Sequence, residues 1–506
     1  MATFMERHAD KIRGVLSCFD RVVITGTLPD LCHQEAMARY LGARQVRLFD
    51  YPRWAEPFRD RIRTHAEQLA KDAGLTIEFI RRGKDLRKEE RIKRLLATRG
   101  EHVGLVHIFS AMEPCPSYRP WHDKRTGQTF LKATEAKCLH YYFYFIDRAL
   151  GLCYLRVPTW APFRLQFYCN GHHVLARQLE RQGIGYTLLD NAFLAIANWA
   201  RAQVLADAWE PHRLHRQLDR LAATYCPVLA DFPGGVHWSC MQVEYATDVV
   251  FARQADFQPL YAALTHTAIH AVKPDHVATF LGRKLTGRYQ DELGNDFSTR
   301  IEGTRIKHHM GWAAIKLYDK FGLIARVECT ANDVSFFQHH RTVEHRDGTR
   351  EFKLAPVRKS IYSLPVLRTL LGAATLRYLD FLAAIEDPRP GLRALEKIAT
   401  PVREGERSYR GLNLFHGPDL DLCRTILRGE FTISGFQARQ LRRHLADCSG
   451  AQLSRCLKRL RLHGLIKKVG KRYKYYLTTL GRTVATAALK LRELVLIPLL
   501  NQPVAA

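Results

Sequence analysis

A divalent metal that cuts or joins phosphodiesters needs two or three carboxylates to hold it, with paired metals about 4 Å apart. Five acidic residues stand beside apolar, β-prone runs and suit that demand. They are Asp147 at the end of LHYYFYFI, Asp190 in LLDN, Glu244 and Asp248 in VEYATDVV, and Glu328 in ARVEC. Asp147, which closes an aromatic strand shortly before Gly151, is the first choice as metal ligand. Each has a plainer alternative: Asp147 can open a hairpin turn, Asp190 can cap a helix, and Glu328 can pair with a neighbouring arginine. No cofactor is implied for certain; magnesium is implied if these residues serve a nuclease or strand-transfer enzyme.

Other chemistry is excluded by spelling. Gly282-x4-Gly287-Arg288-Tyr289 mimics a phosphate loop but lacks its Lys and its Ser or Thr. Gly183-Ile184-Gly185 lacks the third glycine of a dinucleotide loop, and no His-x-His occurs among the 23 histidines. The doublets His172-His173, His308-His309 and His339-His340 each offer one ligand at most, so a surface or core role is the plainer reading. Tyr141 to Phe145 could stack on unpaired bases, although alternate members of such a run belong to a core. The segment Lys316 to Lys320, with Arg326 and Glu328, loosely resembles a strand pair of phage and plasmid replication initiators. Alternation puts Lys316, Tyr318 and Lys320 on one face, where lysines suit a phosphate and Tyr318 a base.

These residues need elements to hold them. Arg21 to Thr25 reads as a strand, Arg53 to Ala73 as a helix, Thr76 to Ile80 as a strand, Leu86 to Thr98 as a basic helix and Val103 to Phe109 as a strand. That alternation predicts a right-handed crossover and a parallel sheet. Lys137 to Ile146, Leu152 to Val157 and Phe163 to Tyr168 then predict an antiparallel meander, followed by a helix from Gly171 that stops at Gly183. A hairpin is expected over Ala314 to Cys329, turning at Asp319 to Gly322. Pro388, Pro390 and Pro401 mark a linker. The expected organisation is α/β plus α+β multidomain: an α/β lobe over 1–130, an α+β body over 131–385, a linker over 386–410 and a winged helix over 411–506.

The chain has 506 residues with 77 Lys and Arg against 50 Asp and Glu, a formal charge of +27. A polyanion is the natural partner of such a chain. No apolar run reaches the roughly 18 residues of a membrane span, and the start of the chain lacks an apolar signal segment. The twelve cysteines form no Cys-x-x-Cys pair. A cytoplasmic protein without a membrane partner is expected.

The charge concentrates late. Arg439 to Arg482 holds thirteen basic residues and one acid, Asp447. Gly435 to Ala446 and Ser449 to His463 read as helices, Leu465 to Val469 and Arg472 to Leu477 as strands joined at Gly470-Lys471. Helix, turn, helix and a two-stranded wing is the plan of a winged helix. Leu453, Leu457 and Leu460 share a face that would be buried, which leaves Gln452, Arg455, Lys458 and Arg459 for base edges in a major groove. Lys471, Arg472 and Lys474 of the wing would meet phosphate, and Lys467 and Lys468 join them in the expected nucleic-acid-binding set. Leu457 to Gly481 (LKRLRLHGLIKKVGKRYKYYLTTLG) resembles the winged helices of MarR-like bacterial regulators over about a fifth of the chain. The whole chain also looks like a group of large bacterial proteins of unsettled function, with a mobile-element or replication-type role among the expectations.

The sequence therefore predicts a bacterial protein that docks duplex DNA through its C-terminal part. The body would form a second surface for DNA or RNA. Two rivals remain: a metal-dependent nuclease or strand-transfer enzyme using the strand-end carboxylates, and a ligand-responsive MarR-like regulator, dimeric through the C-terminal helix.

Overall fold

The computed structural model describes residues 3–81, 87–283, 297–302, 304–386, 389–413, 415–445, 448–469 and 473–500. The chain is mixed α and β and divides into two compact units, Met1–Glu386 and Asp387–Ala506.

Among the described residues the first unit has fifteen strands, eleven of them in one sheet, and thirteen of the fifteen precede residue 332. Those thirteen are β1 (Ile12–Thr27), β2 (Ile77–Ile80), β3 (Gly104–Asp123), β4 (Gln128–Asp147), β5 (Gly151–Pro158), β6 (Leu165–Cys169), β7 (Tyr186–Leu189), β8 (Ala192–Ile196), β9 (His237–Phe251), β10 (Phe297–Glu302), β11 (Arg305–Met310), β12 (Ala313–Lys320) and β13 (Ile324–Ala331). The large sheet runs β10-β11-β12-β13-β9-β1-β6-β5-β4-β3-β2, and β7 pairs with β8 in a separate hairpin. The first strand thus sits mid-sheet, antiparallel to both β6 and β9.

The two faces of this sheet differ. One face carries Phe19, Val22, Ile24, Val243, Tyr245, Val249, Val327 and Cys329 into the main core, against helices that include Leu364–Glu386 and Gln254–His270. Such near-continuous apolar lining is what a sheet buried under helices requires. The other face is covered in two separate patches. Helix Gly171–Arg181 and the β7–β8 hairpin lie over Leu16 and Cys18. Helix Lys88–Arg99 lies over Phe109, Tyr142 and Tyr144. The polar residues discussed below occupy the stretch between and beyond these patches.

The meander β4-β5-β6, the helix that follows it with Gly183 at φ +65°, and the 313–331 hairpin agree with the sequence reading. The parallel sheet agrees only at one edge, where the strand, helix and strand over 76–109 form a parallel pair as expected. Only β2 and β3 pair parallel; every other pairing among the described strands is antiparallel. The reason is β1, which is 16 residues long and recruits β9 over most of its length. The strands expected of a lobe over 1–130 and of a body over 131–385 share one sheet, because the β3–β4 hairpin carries the ladder straight across residue 130. The expected linker over 386–410 holds helix Arg389–Ala399 and a hairpin of β16 (Val402–Glu404) and β17 (Arg407–Tyr409); β14 (Gln338–Glu344) and β15 (Arg350–Pro356) form another small hairpin.

The second unit also contains helices Gly417–Ile426, Gly429–Ser434, Ala438–Arg442, Gly450–Leu462 and Thr479–Lys490, and the antiparallel pair β18 (Ile466–Val469) and β19 (Lys474–Leu477). Its core gathers Leu441, Leu453, Leu457, Leu460, Leu465 and Ile466. Ser449 and Gln452 close a capping box that starts helix Gly450–Leu462. The P-loop mimic at Gly287-Arg288-Tyr289 lies outside the described residues.

Candidate functional site

Three carboxylates meet on the less covered face of the sheet. Asp20 on β1, Glu244 on β9 and Glu328 on β13 each bring an oxygen within 4.8 Å of the others. The register explains how. Arg21 faces Glu244, Thr330 faces Glu244 and Lys316 faces Glu328, so these side chains share one face. Phe19 faces Tyr245 while Arg21 faces Glu244, which makes Asp20 the extra residue of a bulge. A bulge re-aims a side chain that regular alternation would place elsewhere. Here it brings Asp20 and Arg21 to the same cluster.

Behind the trio lies a buried polar network. Arg326 is fully buried; its Nε donates to Asp248 Oδ1 at 2.5 Å, its Nη2 to Asp248 Oδ2 at 2.6 Å, and its Nη1 to Asp20 Oδ1 at 3.3 Å. His172, also buried, stands between two acids, with Nδ1 3.0 Å from Asp20 Oδ1 and Nε2 3.5 Å from Asp248 Oδ2. Asn170 and Asn191 donate to Asp20 Oδ1 at 3.3 and 2.6 Å. Among the described residues, all hydrogen bonds to Asp20 thus fall on Oδ1 and none on Oδ2.

Lys316 occupies the outer side. Its Nζ is 3.3 Å from Glu244 Oε1 and also contacts Glu328 Oε1. Tyr318 donates to Glu328 Oε2 at 2.6 Å, and Thr330 to Glu328 Oε1 at 3.3 Å. The Nε of Arg21 is buried and has no hydrogen-bond partner among the described residues.

The charges are unevenly satisfied. Burial would raise the Asp20 carboxyl, but His172, Arg326 and Lys320 outweigh it and hold its pKa below the ordinary range. Burial likewise opposes charge on Asp248, and Arg326 and His172 reverse the effect. Glu244 goes the other way: burial and then the charge of Glu328 push it up, against the pull of Lys316 and Arg21. A carboxyl so placed is short of positive charge, which a bound cation would supply.

The sequence candidates now separate. Glu244 and Glu328 join the trio, and Asp248 anchors the network behind it. Asp147, the first choice, does not. Its Oδ1 accepts from the backbone N–H of Ala149 and Leu150 at 2.7 and 3.1 Å and from Gln217 at 2.6 Å, while Arg220 binds Oδ2 at 2.8 Å. It shapes the β4–β5 turn, as the plainer alternative held. Asp190 sits at φ +51° between β7 and β8, exposed and paired with Lys93 Nζ at 2.6 Å, so it does not cap a helix. Asp20 and Asn191 are not among the residues that the sequence singles out. The signal was a lone acid inside the apolar run SCFDRVVIT, where an unpaired carboxylate would be costly.

In the C-terminal unit, Leu453, Leu457 and Leu460 are buried as expected, and Arg455 and Lys467 are exposed. Arg459 is not on the outer face. It is buried, with Nη2 2.5 Å from Asp419 Oδ1 of helix Gly417–Ile426. The Gln452 side chain accepts from Ser449 N–H at 2.8 Å, so it caps its own helix, and Lys458 pairs with Glu404 of β16. Lys468 lies 3.7 Å over the Tyr473 ring and Lys474 5.7 Å from that of Tyr476. Arg439, Lys458, Arg461 and Lys468 line a groove of about 670 Å³ between helix Gly450–Leu462 and the strand pair. Lys471 and Arg472 lie outside the described residues.

No protein-family model, no curated protein and no solved structure matches the chain. No helix among the described residues is long and apolar enough to cross a membrane.

Proposed function

We propose that this protein is a metal-dependent enzyme that cuts or transfers nucleic-acid strands, with Asp20, Glu244 and Glu328 holding a divalent cation such as magnesium. The observation that carries the reading is their convergence from three adjacent strands, with no hydrogen bond on Asp20 Oδ2 among the described residues. A cation there would polarise a phosphoryl oxygen and activate a water as nucleophile. Arg21, with its unpartnered Nε, is placed to meet the phosphate, and Arg326 and His172 fix the orientation of Asp20. Lys316, Lys307 and Arg300 stand opposite one another on β12, β11 and β10, and extend a basic track from the trio toward that sheet edge.

The C-terminal unit would be the winged helix that grips duplex DNA. Helix, helix and strand pair follow in the required order, the segment resembles MarR-like domains, and its groove is basic. Arg455 would read bases, and Lys467, Lys468 and Lys474 would contact phosphate. A mobile-element or replication-type role, with RNA as an alternative strand, fits this pairing of a cutting centre and a duplex grip.

A second reading has its own support. Lys316 already bridges Glu244 and Glu328, as it would if the cluster were only an ion-pair lattice in a nucleic-acid-binding body. Incubation of the full chain with end-labelled DNA and RNA, in magnesium or manganese, decides between them. Cleavage abolished by Asp20→Asn and by Glu328→Gln supports the enzyme. Absence of cleavage on single strands, duplexes and junctions alike, with binding intact, leaves the binder.

A further inference from the structure

A tyrosine ladder leads away from the carboxylates in the direction opposite to the lysines. Tyr144 on β4 faces Tyr154 on β5, and Tyr154 faces Tyr168 on β6, which in turn faces Val23 on β1. The rings of Tyr154 and Tyr168 are 5.0 Å apart and nearly parallel, at 9°, and those of Tyr144 and Tyr154 are 5.1 Å apart. With strands about 4.8 Å apart, the ladder spans roughly 14 Å from β4 to β1.

These rings form the floor of a cavity. Helix Lys88–Arg99 makes one wall, and helix Gly171–Arg181 with the β7–β8 hairpin makes the other. Two ion pairs, Lys93 with Asp190 and Arg177 with Glu101, tie the walls together. Asn170 and Asn191 line the cavity and also donate to Asp20, so the space shares a wall with the proposed metal centre.

An unsatisfied group marks it as a ligand site. The Tyr144 hydroxyl is buried in a side chain only 4 % exposed and has no hydrogen-bond partner among the described residues, although buried hydroxyls nearly always find one. The lining brings five carboxylates against Lys93 and Arg177, a balance that rejects a phosphate and accepts a neutral ring with amino groups. Phosphate is left to Arg21, next along the sheet.

We infer that this cavity binds an unpaired nucleobase beside the phosphate held at the metal centre, with Tyr154 and Tyr168 as the stacking surface and the Tyr144 hydroxyl as a hydrogen-bonding group. The inference rests on the proposed strand-cutting activity and adds its substrate class: a single strand, or a duplex from which one base is turned out.

The test is binding without cleavage. Full-length protein in a chelator is titrated with single-stranded DNA and RNA oligonucleotides carrying 2-aminopurine at one position, and with their duplexes. Wild type should change the fluorescence of single strands more than that of duplexes. Tyr144→Phe, which keeps ring and volume, should weaken single-strand binding several-fold, and Tyr168→Leu about tenfold with loss of the stacking signal. Folding of each variant is checked by its melting curve. Equal affinity and equal fluorescence change in wild type and in folded Tyr144→Phe and Tyr168→Leu would overturn the inference, even if metal-dependent cleavage is found. Cleavage that is absent while the variants behave as expected would instead overturn only the activity.

Discussion

Replacing Glu244 by Gln separates a metal centre from a closed ion-pair lattice. Glu328 and Asp20 each place an oxygen within 4.8 Å of Glu244. At an effective dielectric of 20 each opposes its charge by about 3.5 kcal/mol, while Lys316 at 3.3 Å returns about 5 kcal/mol. The balance of these three pairs is about 2 kcal/mol of repulsion, before burial and the opposing pull of Arg21 are counted. Without metal, Glu244→Gln should therefore stabilise the protein by up to about 2 kcal/mol, a rise in Tm of roughly 2–4 °C for a unit of this size. The pH dependence has a definite sign. The folded pKa of Glu244 lies above its ordinary 4.5, so the native state holds a proton that the unfolded chain has lost. This contribution to stability is complete below pH 4.5 and is lost as pH rises through the folded value. Glu244→Gln should flatten that decline. Magnesium or manganese at about 100 times its Kd should stabilise wild type by about 2.7 kcal/mol and the variant much less. Melting curves across pH and metal concentration measure all of this. A wild-type Tm indifferent to both metals, together with a lower Tm for Glu244→Gln, would refute the reasoning and leave Lys316 as the site's permanent cation.

Three further outcomes follow from the same contacts. Arg326→Leu strands buried Asp248 and should cost about 3–5 kcal/mol, whereas the double variant with Asp248→Leu should recover most of that loss in a denaturant titration. Tyr144→Phe removes an unsatisfied buried hydroxyl and should raise stability by about 1 kcal/mol in the metal-free, ligand-free protein; an equal loss would mean that the hydroxyl has a partner. In the C-terminal unit, Arg459→Ala should lower the melting temperature through buried Asp419, while Arg455→Ala should leave stability within about 0.5 kcal/mol and alter duplex preference in a gel-shift series.

Much of the fold was legible because alternation and turn residues are local signals. The β4-β5-β6 meander and the 313–331 hairpin carry period-two patterns closed by Gly151 and Gly322, both at positive φ. The central pairing of β1 with β9 was not legible, since residues more than two hundred positions apart leave no trace in either run. The candidate site was half legible for the same reason. Glu244, Asp248 and Glu328 stand out as acids in apolar strands, yet nothing local says that Asp248 is held by Arg326 while the charge of Glu328 stands close to Glu244. Asp147 misled because a strand-end aspartate before a glycine is equally the signature of a turn. Arg459 misled because helical periodicity assigns a face but cannot reveal that an acid, Asp419, lies against it.

The mid-sheet position of β1 has a consequence for the order of assembly. Asp20 is synthesised more than two hundred residues ahead of one of its flanking strands, β9, which starts at His237, and Glu328 follows later still. Until then the early strand offers an open hydrogen-bonding edge, and a fragment ending before Glu328 holds an incomplete set of ligands. A nascent or prematurely terminated chain is thereby incapable of the reaction proposed for the finished one, and competence arrives in a single step when the last of the three strands docks.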